Sequence, residues 1–162
     1  MTELVEVICE DDRWARVGLE ALADVACTAT LAHLGLEPSQ FEISLLGCDD
    51  ARITALNTEF RDQPAATNIL SWPSKARSPD QPGGGKARPD ALGDMAIAFE
   101  KCALEAQAAG KPMRDHVTHL LVHGTLHLLG YDHMDDKDAT KMERLEVQVL
   151  ATMGIKDPYK DG

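Results

Sequence analysis

The sequence has no apolar run long enough to cross a membrane. Its most apolar stretch, residues 19–36, is broken by Glu20, Asp24 and His33, whereas a spanning helix needs about 20 mostly apolar residues. It opens Met-Thr-Glu-Leu-Val-Glu-Val, with no basic segment ahead of an apolar one, so no secretory signal is expected. It has no CxxC pair. Cys9, Cys27, Cys48 and Cys102 are scattered, which argues against a disulfide framework or a cysteine metal cluster and for free thiols in a reducing compartment. A cytoplasmic protein without a membrane partner is the expectation. Positive charge is also scarce: 16 Lys and Arg stand against 27 Asp and Glu, a net charge of −11. A general nucleic-acid binder usually presents a basic surface. Any contact with nucleic acid must therefore come from a local basic patch, or from a partner that delivers it. No internal repeat is visible.

What remains is an ordinary globular composition, 44% apolar and 27% charged over 162 residues. That length suits one domain, residues 1–162, with a core that needs no disulfide staple. Residues 4–8 read as a strand. Residues 13–35 place Trp14, Val17, Leu22, Val25 and Ala26 at helical spacing, and Gly35 ends the run. Phe41 to Leu46 alternates as a strand. Asp49 or Asp50 caps a helix running to about Phe60. Residues 67–72 are β-prone and stop at Pro73. Residues 91–98 read as a strand, and Phe99 to about Ala109 as a helix ended by Gly110. A helix begins near Pro112 and stops before Gly130. The last helix spans residues 136–153.

The expected fold is α+β: a single small mixed sheet of about four strands, packed with about five helices. Residues 74–90 hold Pro79, Pro82, Pro89 and three consecutive glycines, with Lys75, Arg77, Lys86 and Arg88 among them. They read as a locally basic loop joining the third and fourth strands in a hairpin-like, antiparallel connection.

Five of the six histidines lie between His116 and His133. On a helix, His123 and His127 project from one face about 6 Å apart along the axis. A third ligand on the same helix would not reach the ion, so the chain has to turn. Gly130 permits that turn, and His133 arrives from beyond it. Three imidazoles leave a fourth tetrahedral corner open, the arrangement of a catalytic zinc site at a helix C-terminal end. His116 reads as structural, and His119 reads equally well as structural or as part of the site. The same histidine spacing occurs in metzincin proteases, but their general-base Glu is replaced here by Gly124. That weakens a peptide- or amide-cleaving reading.

The block His123-Gly124-Thr125-Leu126-His127-Leu128-Leu129-Gly130-Tyr131-Asp132-His133 resembles the YbeY family of bacterial RNA-maturation endoribonucleases. Residues 57–61 (Asn-Thr-Glu-Phe-Arg), 67–73 (Thr-Asn-Ile-Leu-Ser-Trp-Pro), 92–97 (Leu-Gly-Asp-Met-Ala-Ile) and 142–154 extend the likeness. Asn68 and Trp72 depart from it, standing where the family more often has Asp and Phe, and the 74–90 loop is long. The resemblance implies a zinc-dependent, single-strand-specific endoribonuclease. It would act in ribosomal RNA processing, notably at the small-subunit 3′ end, and in ribosome quality control, with rRNA and the ribosomal small subunit as partners. It also implies an arginine in the cleft, at Arg61, suited to pair with phosphate oxygens. Without the resemblance, Arg61 reads as a surface arginine at a helix end. Lys75, Arg77, Lys86 and Arg88 would guide the phosphate backbone or simply solubilise their loop. Trp72 would stack on a base or sit in the core, and Asp132 would orient a ligand or belong to an acidic turn. A metal-containing assembly factor without catalysis is the non-enzymatic rival.

Overall fold

The computed structural model describes residues 4–61, 66–75, 90–131 and 136–159. Four strands form one sheet: β1 (Val5–Cys9), β2 (Phe41–Cys48), β3 (Ile69–Pro73) and β4 (Asp90–Ala98). Their order is β1-β2-β4-β3. The pairs β1–β2 and β2–β4 are parallel, and β3–β4 is antiparallel. The mixed sheet and the antiparallel pairing of the third and fourth strands are as expected from the sequence.

Six α-helices are described: α1 (Arg13–Val17), α2 (Leu19–His33), α3 (Asp50–Arg61), α4 (Phe99–Ala109), α5 (Met113–Leu128) and α6 (Asp136–Thr152). The sequence predicts a single helix over residues 13–35. The structure divides it at Gly18, whose φ of +84° reverses the backbone between α1 and α2. Pairing every apolar position into one stripe hides such a break, because both halves face the same core.

The sheet separates two cores by the two-residue alternation of its strands. Phe41, Ile43, Leu45, Met95 and Ile97 face the larger core with Leu19, Ala23, Ala26 and Leu31 of α2, Val117, Leu121 and Leu126 of α5, and Val149 and Leu150 of α6. Leu70, Ala96 and Ala98 face a smaller core with Ile53 of α3, against which Leu56 and Trp72 pack. Core packing is thus the part of the Trp72 expectation that the fold bears out.

β4 carries one irregularity beside the site. Glu42 pairs with Ala91 but Ile43 pairs with Gly93, so Leu92 is an extra residue and is wholly buried. Gly93 has φ +147°, and a Cβ there would stand 2.1 Å from the Trp72 carbonyl oxygen. No other residue type fits that approach without moving a backbone.

α5 is the central helix. It is apolar on nearly every side and packs among α2, α4, α6 and the sheet. From His116 to Leu129, the only residues that are not buried are His116, His119, His123 and His127. Spacings of three and four place them in one stripe.

Candidate metal centre

The histidine stripe is therefore the open line along α5 from His116 onward, where its other residues are buried. His123 and His127 bring their Nε2 atoms to 3.1 Å, with ring centroids 4.6 Å apart and planes at 83°. Two imidazole nitrogens at this distance share a proton or a cation, because two lone pairs alone repel. Two zinc-bound imidazole nitrogens on a tetrahedral ion lie about 3.3 Å apart, given zinc–nitrogen bonds of about 2.0–2.1 Å. The pair fits that requirement with a small adjustment.

The far side of His123 is equally specific. Its Nδ1–H donates to Glu146 Oε2 at 3.1 Å, which leaves Nε2 as the nitrogen with a lone pair. Glu146 has no exposed surface. Its other oxygen accepts from His119 Nε2 at 2.6 Å and from the Tyr159 hydroxyl at 2.7 Å. Burial pushes the Glu146 carboxyl up. The bonds from His119 and His123, the electrostatic attraction of the His123 ring N–H and the Tyr159 hydroxyl outweigh burial and hold it at about 2. Tyr159 also stands edge-on to the His119 ring, centroids 5.5 Å apart. His119 thus touches the carboxylate that touches His123.

His116 has a separate role. Its Nε2 donates to Glu105 Oε1 on α4 at 2.9 Å. The same oxygen accepts from Asn68 Nδ2 at 3.1 Å, while Asn68 Oδ1 accepts the Ile69 amide at 2.6 Å. This network ties the start of β3 and α4 to α5, in keeping with the structural reading of His116.

Gly130 takes φ +101°, and the Tyr131 amide closes back on the Leu126 carbonyl at 3.1 Å. The turn predicted from the glycine is present, and it reverses the chain immediately after the histidine pair. His133 and Asp132 lie outside the described residues. Among the described residues no group of three or more His, Cys, Asp or Glu side chains could hold a metal. Arg61 closes α3, and its side chain lies outside what is described. Of the basic loop, Lys75 is described and pairs with Asp90 at 3.7 Å; Arg77, Lys86 and Arg88 lie outside. A Cβ on Gly124 would stand 2.6 Å from Met95 Sδ and 3.2 Å from Ile69 Cδ1. That position faces the sheet, so a base-bearing side chain there would point into the core.

Glu146 and Tyr159 are the site residues that sequence reasoning misses. A signal for Glu146 exists: Met142, Glu146, Val149 and Leu150 fall at i, i+4, i+7 and i+8, so a carboxylate interrupts the buried stripe of α6. A buried charge demands partners. Tyr159 leaves no such signal, because only the fold brings the segment after α6 back to α5. Cys27, Cys48 and Cys102 are buried, Cys9 is partly so, and all are free thiols, as expected. No described helix is long and apolar enough to cross a membrane.

A mixed sheet carrying an open imidazole stripe, with one ring locked by a buried carboxylate, is the frame of an enzyme site. The family model described as Endoribonuclease YbeY matches residues 7–154. An Endoribonuclease YbeY of Ruegeria pomeroyi is 57% identical over 162 residues, covering 96% of this chain and 97% of the relative. One of Cereibacter sphaeroides is 50% identical over 167 residues, covering 98% and 100%. A solution structure of a Thermotoga maritima protein shares the fold with a TM-score of 0.57 at 19% identity, covering 96% of this chain and 99% of that one. The chain belongs to the Endoribonuclease YbeY family. Its enzyme class is accordingly that of an endoribonuclease.

Proposed function

We propose that this chain is a zinc-dependent, single-strand-specific endoribonuclease of the cytoplasm. It processes ribosomal RNA, including the small-subunit 3′ end, and takes part in ribosome quality control. The observation that carries this reading is the 3.1 Å approach of His123 Nε2 and His127 Nε2 on the open histidine stripe of α5. In this reading His133, which follows Gly130 by three residues in the sequence, is the third ligand. When bound, zinc supplies Lewis acidity and activates water near neutral pH. Glu146 keeps His123 in the tautomer with its lone pair on Nε2. Arg61 pairs with the non-bridging phosphate oxygens, which gain charge as the phosphodiester breaks. The nucleophile is a water molecule or the adjacent ribose 2′-hydroxyl.

The net charge of −11 supports delivery of the RNA by the ribosomal small subunit rather than capture of free RNA. It also favours the second reading, an assembly factor that uses the metal for shape. Elemental analysis should find about one zinc per chain, as three protein ligands around one ion require. His127→Ala should lose it, and retention of zinc by that variant removes the site. Cleavage of a single-stranded rRNA fragment, measured with and without small subunits, then separates the two readings: no cleavage in either condition leaves the assembly factor. Arg61→Ala should keep zinc and slow cleavage; an unchanged rate returns Arg61 to the surface.

A further inference from the structure

We propose that Glu146 is a positioning residue for the metal centre: it selects the nitrogen that His123 presents to the ion, with His119 and Tyr159 fixing the carboxylate from behind. This inference rests on the metal reading given above.

Three donors converge on one carboxylate, two from α5 and one from the segment after α6. His123 Nδ1 reaches Oε2 at 3.1 Å from α5. His119 Nε2 reaches Oε1 at 2.6 Å from one turn earlier on the same helix. The Tyr159 hydroxyl reaches Oε1 at 2.7 Å from the segment after α6. That segment is itself fastened, since Lys111 Nζ donates to the Pro158 carbonyl at 3.2 Å. Glu146 stands on α6 with 1% of its side chain exposed, whereas the His123 side chain is 25% exposed. The carboxylate is therefore the innermost group of the cluster, and His123, His119 and Tyr159, all more exposed, surround it.

An ionised carboxylate only accepts hydrogen bonds. Facing Nδ1 of His123, it keeps the proton there and keeps Nε2 free to bind a cation. A glutamine amide has one accepting oxygen and one donating nitrogen. It can satisfy one imidazole N–H and must present N–H groups to the other. Where it turns its nitrogen to His123, that ring moves its proton to Nε2 and blocks its own binding atom. The buried negative charge that would balance the cation is lost in the same change. His119 and Tyr159 leave the carboxylate one orientation, because both bind the same oxygen and so direct the other at His123.

The test uses the full chain, with zinc as the probe. In the metal-free wild type at mildly alkaline pH, where imidazole is neutral, nitrogen-15 NMR should show His123 protonated on Nδ1. Glu146→Gln should populate the Nε2-protonated form. Its zinc affinity, read by competition with a chelator, should fall about 10- to 100-fold. Tyr159→Phe, a change near the chain end at a partly exposed ring, should lower zinc affinity about two- to tenfold. It serves as the second variant if Glu146→Gln fails to fold. Wild-type tautomer and wild-type zinc affinity in the variants, with only a lower melting temperature, would make Glu146 a structural tie between α5 and α6 and overturn the proposal. A wild type that shows the Nδ1–H tautomer yet binds no zinc overturns the metal reading itself, and the two failures are thereby told apart.

Discussion

Of the three imidazole–carboxylate contacts made by α5 histidines, those of His116 and His123, seven residues apart, differ in kind. His116 meets Glu105 at 2.9 Å, with side chains 13% and 31% exposed. His123 meets Glu146 at 3.1 Å, with side chains 25% and 1% exposed. The longer contact is the more consequential one. Glu105 is screened by water and shares its oxygen with Asn68, so the pair resembles a surface ion pair. Glu146 has lost its water entirely and depends on protein donors. Distance alone does not rank the two; the solvent available to the carboxylate does.

Cys27 extends the comparison to a buried acid with few donors. Burial pushes its thiol up to about 12, against a single hydroxyl contact from Thr125 that works the other way. Glu146 is as thoroughly enclosed by the fold, yet it is held at about 2 by its imidazole and phenol partners. Burial acts on both groups in the same direction, and the number and charge of the donors decide the outcome.

The largest expected effect is that of Glu146→Ala. Removing one side of a buried charge-assisted network leaves its partners desolvated and should cost about 3 kcal/mol, measured by urea unfolding of the metal-free chain. A cost as small as that of Glu105→Ala would erase the distinction between the pairs. Cys27→Ala addresses burial without imidazoles. The folded thiol is raised, so its contribution is fully present below the unfolded pKa of about 8.5 and is lost as pH rises above it. Between pH values of about 8.5 and 9.5 the wild type should therefore lose about 1 kcal/mol more stability than the variant. Parallel pH profiles would show that the native thiol ionises freely. Glu105→Ala should cost at most about 1 kcal/mol, and part of that should vanish in high salt. A loss independent of salt would move this pair into the buried class. Asn68→Ala should cost least, about 0.5–1 kcal/mol for its two hydrogen bonds near the surface. A cost above that of Glu105→Ala would mean that Asn68 anchors β3 rather than serving Glu105.

The histidine pair and the turn that follows it are legible in the sequence, while His133 and the Arg61 side chain lie outside the described residues. The i, i+4 histidines and the glycine turn are local, and local geometry follows from a helix period and a permissive φ, as His123, His127 and Gly130 illustrate. The histidine that reads equally as structural or functional, His119, was undecidable for a physical reason. Its partner Glu146 lies 27 residues further on, and no periodicity reports a contact between two helices. The break at Gly18 leaves no mark in the sequence pattern, because apolar positions continue at helical spacing across it. Gly124 was legible only as the absence of a base. Its positive reason, the close approach of Met95, needs the sheet packed beneath α5.

By itself, the amino-acid sequence determined the mixed α+β class, the antiparallel return of the third and fourth strands, the histidine stripe and its terminating turn. Those features rest on periodicity and on φ/ψ preferences, which act over a few residues. Only the tertiary structure decided that the stripe stays open while the rest of α5 from His116 onward is buried, that a buried carboxylate from α6 selects the tautomer of His123, and that Tyr159 reaches back to hold it. These depend on which helices share a core and on where water is excluded, and solvent exclusion belongs to the packed whole rather than to any segment of it.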